Sequence, residues 1–239
     1  MGRMPAAQRR EQVLSTALEL FASKGYARTT TSQLAKAAGV TEPIIYRHFS
    51  SKRELFIALI VRSGRDTLAA WKKHLRTAST PAERIALLLE DNPMVHDAGR
   101  EAYRVILQTI TEVDDAELHE ALNLHIQALH EFLAREVENA QEAGAVPSRF
   151  AADLIGWLLI EIGLGYGVLH AMRIPGHGIG TSGVHVKDVL AELLIGAPLP
   201  PSASKPASGA KPSKKAPSKT ASAKKAASKK KPPPAKRSR

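Results

Sequence analysis

Apolar residues recur along this chain at helical spacing from near its start. Val13, Leu14, Ala17, Leu18 and Phe21 stand at i, i+1, i+4, i+5 and i+8, one face of a helix over residues 8–24 that Gly25 ends. Thr30, with Gln33 three residues on, is a capping box and predicts a second helix to about Ala38. Gly39 tolerates the left-handed backbone of a helix stop, Thr41 caps a third helix, and Pro43 fits its first turn before the helix ends near Phe49. Helices of about two turns are unstable alone in water, so this pair needs support from elsewhere.

Ser51 and Glu54 repeat the capping pattern and open a long fourth helix. It turns Leu55, Phe56, Leu59 and Ile60 toward a core and Arg62, Arg65, Lys72, Lys73 and Arg76 toward water. Thr80, Pro81 and Glu83 start a fifth helix carrying Ile85, Leu88 and Leu89, which Pro93 ends. A shorter helix near 98–112 is followed by a long one near 115–144, with Leu118, Leu122, Leu129, Phe132 and Leu133 on one side. Ala151 to Met172 is almost continuously apolar, but Asp153, Glu161 and the glycines argue against a membrane span, because charge in a bilayer core is costly. A helix buried on several sides fits better, with Gly163 and Gly167 admitting a close neighbour. After a glycine-rich loop, Val186, Val189, Leu190, Leu193 and Leu194 trace a last helix stopped by Gly196 and Pro198. The pattern predicts an all-α chain of about nine helices without a strand.

From Pro201 the composition changes to Lys, Ala, Ser and Pro, with no aromatic and no large aliphatic residue. Such a segment buries too little surface to offset ordering entropy, which predicts a disordered tail over 201–239. As a flexible coil it spans roughly 35 Å between its ends. Charge divides the chain at similar places. Residues 1–76 carry 14 Lys and Arg against 5 Asp and Glu, a balance of +9. Residues 77–200 carry 7 against 18, a balance of −11, and residues 201–239 carry 13 against none. A basic head, an acidic body and a basic tail point to a polyanion partner for the two ends. The absence of cysteine excludes a disulfide framework and thiolate metal sites, and no secretory apolar run stands near the start, so a cytoplasmic protein is expected.

A helix of about eight residues, a glycine-centred turn and a second short helix form the helix-turn-helix layout, whose second helix enters the DNA major groove. Leu34, Ala35, Ala38, Val40, Ile45 and Phe49 can face inward, which leaves Thr41, Glu42, Pro43, Tyr46, Arg47 and His48 for the partner. The run TTSQLAKAAGVTEPIIYRHFSSKRELF, residues 30–56, preceded by a first helix ending in LFASKGY, resembles the TetR family of bacterial one-component transcription regulators. The resemblance covers about residues 8–60. It implies an N-terminal DNA-binding domain over 1–50 that reaches into helix four to about 60, a helical ligand-binding and dimerisation domain over 51–200, and a separate tail over 201–239.

Carried over residue by residue, the resemblance implies phosphate contacts by Thr30, Tyr46, His48 and Lys52, and groove-facing roles for Thr41, Glu42, Pro43 and Arg47. The chemistry agrees, since hydroxyls and helix N-terminal amides hold phosphate and an Arg can pair with guanine. Glu42 is repelled by phosphates unless it accepts from a cytosine amino group, and Pro43 stands where a small Gly is common in the family. The resemblance further implies a homodimer joined through the last two helices on palindromic double-stranded DNA, and a repressor released by a small-molecule effector. Trp71, His96, Tyr103, Gln108, Trp157 and Glu161 are the candidate effector contacts. The chain is then expected in the bacterial cytoplasm, associated with the nucleoid.

Three patterns that invite other chemistry are set aside. Gly178, Gly180 and Gly183 fit G-x-G-x-x-G, yet no strand precedes them, so a mobile loop is expected and not a dinucleotide site. His119, His125 and His130 share a helix with Glu117 and Glu120, but spacings of six and five do not match the i, i+4 placement that shares a metal, and a solvated acidic face is expected. No Ser, His and Asp set stands out. No catalysis, metal or cofactor is expected.

Two rival functions remain, an architectural protein that coats DNA through its tail and a ligand-binding or enzymatic helical protein with a relic head. The tail itself can contact DNA or the acidic body of its own chain. Deleting residues 201–239 is expected to weaken binding to all DNA and to flatten its salt dependence, by about 0.9 in log–log slope for each phosphate that the tail no longer neutralises. Titrations at several salt concentrations read this directly, and an unchanged slope removes the tail from DNA binding.

Overall fold

The computed structural model describes residues 4–90, 97–112 and 114–196, with the backbone alone at 97–100. Among the described residues the fold is all-α, nine helices with a single isolated bridge between Ile179 and His185. The helices are α1 Ala6–Lys24, α2 Thr31–Ala37, α3 Glu42–His48, α4 Lys52–His74, α5 Pro81–Glu90, α6 Asp97–Ile106, α7 Ala116–Glu142, α8 Ala152–Ala171 and α9 Val186–Ile195. The element expected near 98–112 divides, because after α6 the chain tightens into a 3-10 segment, Leu107–Glu112. His96, Pro93, Pro198 and the tail 201–239 lie outside the described residues.

One buried cluster joins Leu14, Ala17 and Phe21 of α1 to Leu34 of α2, Ile45 and Phe49 around α3, and Leu55, Phe56 and Leu59 of α4. It also takes in Val105 of α6 with Leu118 and Ala121 of α7, so the head shares its core with the body. A second cluster packs Trp71, Leu75, Ile85, Leu129, Leu133 and Ile155 with Leu190 and Leu194 of α9. Between the two, Arg62 is not left in water as expected. Its guanidinium reaches Glu11 at 3.4 Å and Ser15 at 3.2 Å, bracing α4 on α1. In the body, Arg84 meets the buried Glu136 carboxylate through two 2.7 Å hydrogen bonds and also donates to the Leu75 carbonyl at 2.9 Å. That fork anchors α5 on α7 in both geometry and charge.

Two expectations change. The apolar helix α8 is not buried on several sides: Ile155, Gly156, Ile160 and Gly163 turn inward, while Leu154, Trp157, Leu158 and Leu169 stay exposed. The close approach falls at Gly156, where a Cβ would stand 3.2 Å from the Ala134 backbone nitrogen, whereas a Cβ at Gly167 would meet no neighbouring element within 4 Å. The three histidines of α7 have three different surroundings. His119 is exposed, His130 stacks on Trp157 at 4.3 Å, and His125 is only 6% exposed. The expected solvated face therefore does not include His125. Its Nε2 lies 3.3 Å from the Tyr103 hydroxyl and its burial lowers its pKa below the ordinary imidazole range.

His125 packs directly against Gly64 of α4, where a Cβ would sit 2.5 Å from Nδ1. Gly64→Ala is therefore expected to destabilise the fold by about 1–3 kcal/mol through overpacking. The penalty should shrink in a His125→Ala background, and denaturant midpoints of the four variants of that cycle measure it.

Candidate nucleic-acid interface

The α2–α3 pair is assembled from local chemistry before any packing is counted. Thr30 Oγ1 accepts from the Gln33 N–H at 3.2 Å, and the Gln33 side chain accepts in return from the Thr30 N–H at 3.3 Å. A cap of this kind stabilises a helix by about 1 kcal/mol. The turn follows at Gly39, with φ of 64°, and the Val40 N–H returns to the Ala35 carbonyl at 2.9 Å. From α1, Gln12 donates to the Ala38 carbonyl at 3.2 Å and holds the turn to the first helix.

Thr41 occupies the N-cap of α3, but its hydroxyl makes no capping bond, in contrast to the sequence expectation. The pair is instead joined across the turn. The Thr31 hydroxyl lies 3.3 Å from the Glu42 carboxylate, to which it donates, and 3.2 Å from the Tyr46 hydroxyl. Glu42 thereby has a partner inside the motif. Thr30, Thr41, Pro43, Tyr46 and Arg47 are exposed, Tyr46 at 49%, while Glu42 and His48 are half-buried.

At the start of α4, the residue expected to meet phosphate also has partners within the chain. The Lys52 ammonium donates to the Tyr26 carbonyl at 3.0 Å and the Thr29 carbonyl at 3.2 Å, and sits 4.3 Å from the centre of the Tyr26 ring. Those two bonds tie it to the α1–α2 link. Ser51 Oγ accepts from the Glu54 N–H at 3.0 Å, but the Glu54 carboxylate returns to the Ser50 N–H and hydroxyl, both at 2.6 Å. Those bonds from Ser50 lower the Glu54 pKa below the usual carboxylate range. The Arg10 guanidinium lies 4.8 Å over the Phe49 ring. Sequence spacing carries no signal for Thr31, Arg10 or the carbonyl partners of Lys52, since each pairing joins segments separated along the chain.

The candidate effector residues are distributed through the body. Trp71 is buried in the second core and stacked on Phe132 at 5.8 Å, and Tyr103 is buried beside His125. Gln108 faces the head, accepting from the Tyr26 N–H at 2.6 Å and donating to the Phe21 carbonyl at 2.9 Å. Trp157 and Glu161 line an open apolar groove of about 570 Å³ with Phe150, Leu154, Leu158 and Leu193, to which Trp71, Tyr103 and Gln108 do not contribute. The glycine motif lies in a hydrogen-bonded turn ahead of α9. Gly178 and Gly183 both have φ of 82°, Gly180 N–H donates to the Val184 carbonyl at 2.8 Å, and Val186 N–H to the Gly178 carbonyl at 2.9 Å.

A short helix-turn-helix pair displayed on a helical body defines a class of DNA-binding transcription regulators. Within it, residues 13–59 match the family described as bacterial regulatory proteins, tetR family. The chain is 33% identical over 108 residues to the HTH-type transcriptional activator FasR of Mycolicibacterium smegmatis, covering 44% of this chain and 48%, about half, of that relative. It is 30% identical over 158 residues to the HTH-type transcriptional regulator TtgR of Pseudomonas putida, covering 62% of this chain and 73% of that protein. Its fold also matches a transcriptional regulator from Saccharomonospora viridis crystallised in complex with choline, with a TM-score of 0.65 and 22% identity over 71% of this chain and 88% of that one. The chain belongs to the TetR family of transcription regulators.

Lys52→Met tests the internal role of that ammonium. It is expected to cost about 1–3 kcal/mol of stability, because two backbone carbonyls lose a charged donor. A group serving only phosphate would leave the thermal midpoint unchanged.

Proposed function

We propose that this protein is a homodimeric repressor that reads a palindromic double-stranded DNA site through α2 and α3 and is released from it by a small molecule bound in the helical body. The observation that supports this reading most is the outward display of Thr41, Pro43, Tyr46 and Arg47 beside the N-terminus of α2, in a head carrying a balance of +9. In this reading Thr30, Tyr46 and His48 hold phosphates and fix the register, while Thr41, Glu42, Pro43 and Arg47 meet base edges. Lys52 joins them as a phosphate contact at the start of α4, and two of its N–H groups also hold the link that orients α2. Glu42, paired with Thr31, presents its remaining acceptor capacity to an exposed base amino group.

The outer faces of α8 and α9 support the homodimer. Leu154, Trp157 and Leu158 on one helix and Val186, Val189 and Leu193 on the other are exposed in a single chain, an apolar set that a second copy covers. Two copies then place two heads on successive half-sites. The effector is a small molecule of the body, for which Trp71, His96, Tyr103, Gln108, Trp157 and Glu161 remain the candidates. The tail adds sequence-independent phosphate contacts, and the protein acts in the cytoplasm without catalysis. The tail also sustains a second reading, an architectural protein that coats DNA, because its 13 cations and no anion favour any duplex equally.

Selection of bound sequences from a random DNA pool, run on the full chain and on residues 1–200, separates the two. Recovery of one palindrome by both is the expected result. Preference-free binding by the full chain, with little binding by the shorter one, overturns it in favour of the architectural reading. Tyr46→Ala is expected to weaken binding to the selected site by about 1–3 kcal/mol with unchanged helical content, read by titration and circular dichroism.

A further inference from the structure

We propose that Gln108 is a positioning residue for DNA recognition, the point at which the body sets the orientation of the helix-turn-helix pair. The proposal rests on the reading of α2 and α3 as the DNA-reading unit. Gln108 lies in the 3-10 segment after α6 and is not itself among the residues expected to touch DNA, yet both ends of its amide reach the head. Its Oε1 accepts from the Tyr26 N–H at 2.6 Å. Its Nε2 donates to the Phe21 carbonyl at 2.9 Å, and to the Arg104 carbonyl one turn earlier at 3.1 Å. Phe21 and Tyr26 bracket the C-terminus of α1, where the chain leaves the helix at Gly25. A single side chain therefore caps α1 and fixes the first peptide of the link to α2.

The link is held from its other side as well. Lys52 of α4 donates to the Tyr26 and Thr29 carbonyls, and the Thr29 hydroxyl donates to the Gly25 carbonyl at 2.8 Å. Residues 25–30 are thus clamped between α4 and the α6 segment, and Thr30, the next residue, is the N-cap of α2. From Thr31 the hydrogen bonds pass to Glu42 and Tyr46 of α3. A displacement of the α6 segment relative to α4 cannot be absorbed in a slack loop. It must break the Gln108 bonds or turn the α2–α3 pair. About one and a half turns before Gln108, Tyr103 is tied to His125 in the body, so the same segment is fixed at both ends.

The test uses the full chain with Gln108→Leu, which removes donor and acceptor at similar volume, and Gln108→Glu, which keeps the acceptor for the Tyr26 N–H. Hydrogen exchange over residues 21–30 is compared with α7 and α8, and affinity is measured for the selected DNA site and for random duplex. Gln108→Leu is expected to speed exchange in 21–30 about tenfold without altering α7 and α8. It should weaken the selected site about tenfold while leaving random duplex within about twofold, and Gln108→Glu should recover part of the loss. Faster exchange with an unchanged affinity ratio reduces Gln108 to a structural role and overturns the proposal. So does an equal loss on both DNAs, or no change in either measurement. An unsubstituted chain without sequence preference removes the DNA-reading assignment itself, an outcome visible before any variant is made.

Discussion

Two seven-residue helices carry the surface assigned here to DNA, and neither can persist by itself, since helix nucleation is repaid only over longer runs. Much of the head can be understood as the answer to that constraint. The capping box at Thr30 and the turn at Gly39 supply local stability. The aromatic group beneath supplies the rest: Tyr26 stacks on Phe56 at 4.3 Å, and Phe21 meets both rings edge-on at 5.5 and 5.7 Å. Contacts of this kind add about 0.5–1.5 kcal/mol each beyond area burial. The Lys52 ammonium closes the group from above, bound to backbone and ring together.

The parts legible in the sequence are those whose physics is local. The spacing of Leu14, Ala17 and Phe21, the box from Thr30 to Gln33 and the stop at Gly39 each act within one or two turns, and all appear where the spacing places them. What is not legible depends on partners distant in the chain. Nothing in the neighbourhood of Lys52 reveals that its ammonium also reaches two carbonyls 26 and 23 residues upstream. Gln108 reaches 82 residues back to Tyr26, and the His125 ring occupies the space that a side chain at Gly64 would need. The hydrophobic face of its own helix assigns Arg62 to water, yet α1 brings Glu11 and Ser15 to it.

The helix α8 illustrates a different kind of illegibility. Its inner side meets the core through Ile155 and Ile160, and its outer side is apolar too, through Leu154, Trp157 and Leu158. With both faces apolar the periodic contrast disappears, and composition alone cannot tell inward positions from outward ones. Length and apolarity even suffice for a bilayer crossing by count. What the helix lacks is a polar face, and the outer residues remain uncovered in a single chain.

The shared core has a consequence for modularity. Val105, Leu118 and Ala121 belong to the body by position in the chain and to the head by packing. A head excised near residue 60 and joined to another protein would leave that strip behind and expose the apolar surface it covers. Transplanting the reading head onto a foreign sensor would thus require carrying the α6–α7 strip along with it, so the natural unit of recombination is larger than the unit that meets the DNA.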